Sequence, residues 1–337
     1  MMTLDKIAKS LGLTKGTVSR VISGKAAQSR ISQQTIDRVR EFCAKVNYLP
    51  NIHASRMQAK IVRNIMIVFH SEHNGLYDNK CFTDYNMALI LGGISQIALE
   101  EGYTFTMGFY NSGTTLEELL APFRRKEIDG MIYYGVDFPE EWLEAMRAEH
   151  THFVGIGIEP APDIPTVNIN NREMSMQLTR ELLAKGRRRF LYLASSNLSF
   201  VGKERRHGFQ EVMKEAGISD YRILYSDFSQ EKAYEQVKRL LQQGEFDFDA
   251  VMAANDQKAL GAISALREAG YSIPEEVSVA GADNIQLCTY VTPALSTFDN
   301  CADRLGRHAA RKLLDLINGI PVSNEVIKSS LFLRDSI

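Results

Sequence analysis

A small all-α helix-turn-helix head followed by an α/β body of two doubly wound parallel-sheet lobes is the fold class this sequence predicts. Three observations carry that expectation. Two short apolar stripes at helical spacing meet across Gly12 near the N-terminus. From residue 64 onward, short apolar runs alternate with amphipathic helices, the pattern of a parallel sheet covered on both faces. Charge is also segregated: residues 1–60 hold 11 Lys and Arg against 3 Asp and Glu, while the remainder of the 337-residue chain holds 28 against 38. A basic head on an acidic body points to a polyanion at one end.

In the head, Leu4, Ile7, Ala8 and Leu11 form the first stripe, and Val18, Val21 and Ile22 the second. Thr14 is placed to cap the second helix. That helix turns Lys15, Gly16, Thr17, Ser19 and Arg20 away from its apolar side, and a helix of this kind fits the major groove of B-DNA. An inert packed helix pair gives the same local pattern, so the charge segregation decides between them. A third helix is predicted over 32–46 on a stripe of Ile36, Val39, Cys43 and Val46. These helices make a DNA-binding domain of residues 1–47. Pro50 ends it, and the polar stretch 51–57 belongs to a linker, 48–60, that buries too little to order alone but can become helical on DNA.

The effector and dimerisation body spans 61–337. Strands are predicted at 64–69, 103–108, 130–134, 153–158, 166–169, 190–194, 222–225, 250–253, 277–281 and 326–333, with helices between them. That is too many strands for one comfortable sheet, so the chain is divided into a first lobe of about 61–163 and 299–322 and a second of about 164–298 and 323–337. Ligands in such sheets bind beyond the carboxyl ends of strands. Arg205, Phe228, Asn255, Asp256, Asp283 and Asn284 fall at those ends. Carboxylate, amide and guanidinium groups beside an aromatic plate suit a polyhydroxylated ring. Helix caps at Asn255 and Asp256 and an ion pair at Arg205 are the plainer alternative.

Several classes are disfavoured. No apolar run is long enough to span a bilayer, and the N-terminus lacks a signal-peptide pattern, so a cytoplasmic protein without membrane contact is expected. Cys43, Cys81, Cys288 and Cys301 form no metal-ligand spacing, and reduced thiols are expected. His70, His73, His150 and His152 have no companion ligand motif, so neither a metal nor a cofactor is expected. Nucleophile-elbow, phosphate-loop, dinucleotide and zinc-protease motifs are absent, which argues against an enzyme. The run 187–189 reads as a solvated basic turn.

The segments T-V-S-R-V-I-S (17–23), Y-L-P-N (48–51), E-R-R-H-G-F (204–209), A-N-D-Q-K-A-L-G (254–261), I-P-E-E-V-S-V-A-G-A-D (273–283) and L-F-L-R-D-S (331–336) resemble, in order, the lactose and galactose repressor (LacI) family of bacterial transcription regulators. The body accordingly resembles type I periplasmic binding proteins. The resemblance implies a homodimeric repressor on a near-palindromic double-stranded operator, controlled by a small molecule between the lobes. It places Lys15, Gly16 and Arg20 at base-reading positions and Thr14, Thr17, Ser19 and Ser23 at phosphate contacts. It makes 51–58 a hinge helix carrying Asn51 and Ala54, with Met57 where a leucine usually wedges into the minor groove. Arg205, Phe228, Asn255 and Asp283 match effector contacts.

Departures from the family pattern shape the expectations. Gly16 offers no side chain at a discriminating position, the 24–30 loop is longer than usual, and Gly157 replaces an aspartate of several sugar-binding members. No heptad pattern follows Ile337, so a dimer is expected rather than a tetramer. A sugar or sugar phosphate is the expected effector, with a purine or nucleoside as the alternative. A solute-binding receptor is the alternative of another class, disfavoured by the basic head.

Overall fold

The computed structural model describes residues 2–22, 26, 29–48, 61–70, 84–111, 113–135, 138–195, 199–226 and 229–337. The chain divides into two compact units, Met1–Val62 and Arg63–Ile337.

Among the described residues, three helices make the first unit: α1 (Leu4–Leu11), α2 (Lys15–Ile22) and α3 (Gln33–Lys45). Thr3 caps α1, and Gly12 closes it in the left-handed conformation (φ 64°), its N–H reaching the carbonyls of Ala8 and Lys9. Thr14 Oγ1 accepts from Thr17 N at 3.1 Å, and Ser32 caps α3. Ile7, Ala8, Val18, Val21, Ala26, Ile36 and Val39 form the shared core. Cys43 packs at its edge, only partly buried.

The second unit begins with β1 (Asn64–His70), α4 (Tyr85–Glu100), β2 (Thr104–Tyr110), α5 (Leu116–Arg124), β3 (Gly130–Tyr134), α6 (Glu140–Ala148), β4 (Phe153–Ile156) and β5 (Thr166–Ile169). There follow α7 (Asn171–Ala184), β6 (Phe190–Ala194), α8 (Phe200–Glu215), β7 (Tyr221–Tyr225), α9 (Gln230–Gln242), β8 (Ala250–Ala253), α10 (Asp256–Glu268), β9 (Ser278–Ala280) and β10 (Thr297–Phe298). The chain closes with α11 (Ala302–Ile317), β11 (Glu325–Ile327) and β12 (Leu331–Phe332).

A six-stranded parallel sheet has the order β11-β5-β4-β3-β1-β2, and a four-stranded parallel sheet the order β7-β6-β8-β9. β10 and β12 pair antiparallel beside the second sheet, bridged to it at Ala280–Ser296 and Asp283–Asp299. The strands with helices packed on them bear out the doubly wound body.

Two expected lobe boundaries shift. β5 pairs with β4 in the first sheet, so the first passage between lobes follows Ile169 rather than residue 163. The single strand expected over 326–333 is two strands in different sheets, because residues 328–330 carry the chain from one lobe to the other. Local alternation cannot reveal such an exchange, since both halves have strand character.

In the first lobe, α4 and α11 approach so closely that a Cβ on Gly93 would lie 2.1 Å from Asp303 O, and one on Gly306 2.2 Å from Ile90 O. In the second, the 187–189 run is solvated at Arg188 and Arg189, which are exposed, while Arg187 is half-buried and structural. Arg187 donates to Ser278 Oγ at 2.9 Å and to the carbonyl of Pro274, while Arg189 pairs with Asp247 at 2.6 Å. No helix among the described residues is long and apolar enough to cross a membrane.

Candidate functional site

On α2, Val18 and Val21 are buried, while Lys15, Gly16 and Arg20 are exposed and Thr17 and Ser19 half-buried. The helical period thus separates a packing face from a polar one. Lys15 Nζ lies 2.9 Å from Asp5 Oδ2, with both side chains 60% exposed, a pair worth at most about 1 kcal/mol and easily yielded to a phosphate. A Cβ on Gly16 would meet only Thr14 Oγ1 at 3.9 Å, so packing does not demand glycine there. Ser23, Asn51, Ala54 and Met57 lie outside the described residues, as does Phe228.

Three of the four expected effector positions converge at the strand ends of the second lobe. Arg205, in the second turn of α8, is buried. Its Nε donates to Asn171 Oδ1 at 2.8 Å, Nη1 to the Ala254 carbonyl at 2.7 Å and Nη2 to Asn300 Oδ1 at 3.2 Å. Nη2 also stands 2.9 Å from Asp283 Oδ1, and the guanidinium lies 5.1 Å from the centroid of the Phe298 ring.

Asp283 is held at φ 119° and Asn284 at φ 53°, a strained pair of the kind found at ligand clamps. Two backbone bonds over-determine that geometry, Asp283 N to Phe298 O at 2.8 Å and Asn300 N to Asp283 O at 3.2 Å. Burial pushes the Asp283 carboxyl up, and Arg205 opposes the shift. Its Oδ1 is in ion-pair contact yet has no well-aligned hydrogen-bond donor.

Asn255 is the N-cap of α10, its Oδ1 accepting from Lys258 N at 3.0 Å. Asp256 accepts from Ile285 N at 2.9 Å, from the Cys288 thiol at 3.0 Å and from Thr297 Oγ1 at 2.6 Å. Burial, then the neighbouring Asp283, raises its pKa to about 7. The capping and ion-pair alternatives are therefore physically present, within the same cluster.

The first lobe contributes residues that sequence reasoning missed. Asp84 caps α4, accepting from Asn86 N at 2.9 Å, and Tyr134 at the end of β3 donates to Asp84 Oδ2 at 3.1 Å. Asn86 hydrogen-bonds to Asp283 of the opposite lobe. Phe69 packs edge-on against Tyr134 with ring centroids 6.2 Å apart. The available signal was an aspartate just ahead of an apolar helical run. Asn171 follows the expected 166–169 strand by two residues and could have been found by the same strand-end rule, whereas Asn300 follows β10, a two-residue strand that the sequence pattern did not reveal. A Cβ on Gly157 (φ 69°) would lie 3.3 Å from Val201 Cγ2 of the second lobe, so crowding and backbone conformation both disfavour a larger residue.

Burial, then Asp283, raises the Asp84 pKa to about 6. A folded-state pKa above the unfolded value of 3.8 means that the folded body binds the extra proton between those two values. This contribution is full below pH 3.8 and is lost as pH rises through about 6. Asp84→Asn is thus expected to be less destabilised than the parent across that rise, by up to about 3 kcal/mol. Parallel stability-against-pH curves for the two proteins would exclude a buried proton on Asp84.

Among the described residues, no three His, Cys, Asp or Glu side chains group as a metal site. His152 Nδ1 is engaged by the Asp129 carbonyl at 2.9 Å.

The described head is helical with a polar-faced second helix, and the body holds two doubly wound sheets. Residues 3–51 match the family model described as bacterial regulatory proteins, lacI family, and residues 179–337 match the periplasmic binding protein-like domain. The chain is 27% identical to the transcriptional regulator CelR of Thermobifida fusca, over 99% of this chain and 98% of that one. It is also 27% identical to the transcriptional repressor PurR of Mannheimia succiniciproducens, over 100% and 99%. Among solved structures, the lac repressor dimer bound to operator matches with a TM-score of 0.84 at 22% identity, covering 99% of this chain and 98% of that one. A CelR–cellobiose complex matches at 0.73 and 26%, covering 100% of both. The chain is thus similar at its head to the lacI family of bacterial regulatory proteins, and along nearly its whole length to DNA-binding transcriptional regulators.

Proposed function

We propose that the protein is a cytoplasmic homodimeric repressor whose affinity for a near-palindromic operator is set by an uncharged sugar bound between the lobes. Residues 1–47 read DNA, with Lys15, Gly16 and Arg20 toward bases and Thr14, Thr17, Ser19 and Ser23 toward phosphates; residues 48–60, with Asn51, Ala54 and Met57, act as the hinge. The body, 61–337, holds the ligand through Arg205, Phe228, Asn255 and Asp283. The outward face of α4, with Tyr85, Leu89 and Leu99 exposed, supplies apolar surface for self-association.

One observation carries the neutral-sugar reading. The Arg205 guanidinium is committed to Asn171, Ala254, Asn300 and Asp283, so it lacks the free parallel N–H pair with which arginine grips a phosphate or carboxylate. Beside it, the buried Asp283 Oδ1 lacks an aligned donor, a need that a hydroxyl meets. The cellobiose complex of CelR supports the same class.

A thermal-shift screen of neutral mono- and disaccharides, sugar phosphates and purines tests this, since a ligand of the folded state stabilises it by mass action. A rise with neutral sugars, abolished in Asp283→Ala, is expected. Stabilisation by purines or sugar phosphates alone would overturn it.

A further inference from the structure

The body's two lobes are joined by three passages of chain: residue 170 between β5 and α7, residues 299–301 between β10 and α11, and residues 328–330 between β11 and β12. The passages are bonded to one another. Ser329 N donates to Asn170 Oδ1 at 3.1 Å, Ser329 Oγ to the Asp299 carbonyl, and Asp299 N to the Ser330 carbonyl at 3.0 Å. A movement of one passage therefore strains the other two.

Arg205 is fastened to this knot. Its Nε is held by Asn171, the residue following the first passage, and its Nη2 by Asn300, inside the second. The ring beneath its guanidinium, Phe298, is the last residue before that second passage. The same nitrogen that meets Asn300 faces Asp283, whose carbonyl accepts from Asn300 N. All four partners are buried, so water cannot substitute for a lost bond without opening the cluster.

We infer that Asn171 and Asn300 are positioning residues that fasten the Arg205 guanidinium to the lobe crossovers, so that occupancy of the cleft is transmitted to the hinge between the lobes. The inference rests on the reading of the cleft as the effector site. A ligand hydroxyl that draws on Asp283 competes for Arg205 Nη2, and any shift of the guanidinium is felt at both asparagines together. Arginine suits this because its planar fork fixes several donors in one rigid geometry. The coupling is an equilibrium one: a ligand shifts the lobes only as far as it binds the two arrangements unequally.

Hydrogen exchange on the full-length protein tests the link without knowledge of the ligand. Asn300→Ala is expected to speed exchange about tenfold or more not only at residues 299–301 but also at Ser329 and around residue 171. Asn171→Ala is expected to loosen 299–301 in return. Exchange confined to the passage that carries the substitution would overturn the proposal. Arg205→Lys, which lacks the fork, is expected to loosen both passages at once. A sugar that stabilises the parent should slow exchange at all three passages there, and only locally in Asn300→Ala. Failure of every sugar to stabilise the parent would instead remove the effector reading and leave the exchange result standing.

Discussion

Arg205→Ala is expected to destabilise the body by about 3–5 kcal/mol and to eliminate the ligand response. The magnitude follows from removing one partner of a buried ion pair, which leaves the other charge without compensation. Arg205 and Asp283 have side chains only 3% and 6% exposed, so solvent cannot stand in for the lost guanidinium. The substitution also strips acceptors at Asn171, Ala254 and Asn300 of their donor. Denaturant unfolding of the parent, Arg205→Ala, Asp283→Ala and the double variant measures it. The double variant is expected to lose less than the sum of the singles, because its second change removes the charge the first left unpaired. A loss below about 1 kcal/mol in Arg205→Ala would show that the pair is not buried as described.

Operator affinity is expected to fall by about a thousandfold or more between roughly 50 and 200 mM salt, as for proteins that neutralise several phosphates. Residues 1–60 carry 11 basic side chains against 3 acidic ones, enough to make such contacts. Lys15→Ala is expected to shallow the dependence by about one ion per head bound, since each released counterion adds about one to the slope. Affinity insensitive to salt would mean that the basic head does not meet the backbone. Because Lys15 is ion-paired to Asp5, Asp5→Ala is expected to leave that slope nearly unchanged.

The head was legible because its packing is local. Helical spacing at Leu4, Ile7, Ala8, Val18 and Val21, a turn glycine and cap residues are all encoded within twenty residues, and Gly12 and Thr14 do in the structure what their chemistry suggests. In the body, the alternation of strands and helices was equally legible, and the clustering of Asn255 and Asp283 with Arg205 was foreshadowed because strand ends and the helices that follow them are positions in sequence as well as in space. Asp84, Asn86 and Tyr134 were not found, since they come from the other lobe and meet Asp283 only when the lobes face each other. Asp256 shows the same limit: its carboxylate organises Ile285, Cys288 and Thr297, partners 29, 32 and 41 residues away.

By itself, then, the sequence determined the helix-turn-helix head, the doubly wound character of the body and the kinds of side chain gathered at the strand ends. Each of these follows from periodicities of two and 3.6 residues and from local turn and cap chemistry. Only the tertiary structure decided that β5 and β11 complete the first sheet and that the expected last strand divides between lobes. It alone placed Asn171 and Asn300 around Arg205. Strand partners and crossovers are chosen by burial and backbone pairing across long stretches of chain, which no local pattern records.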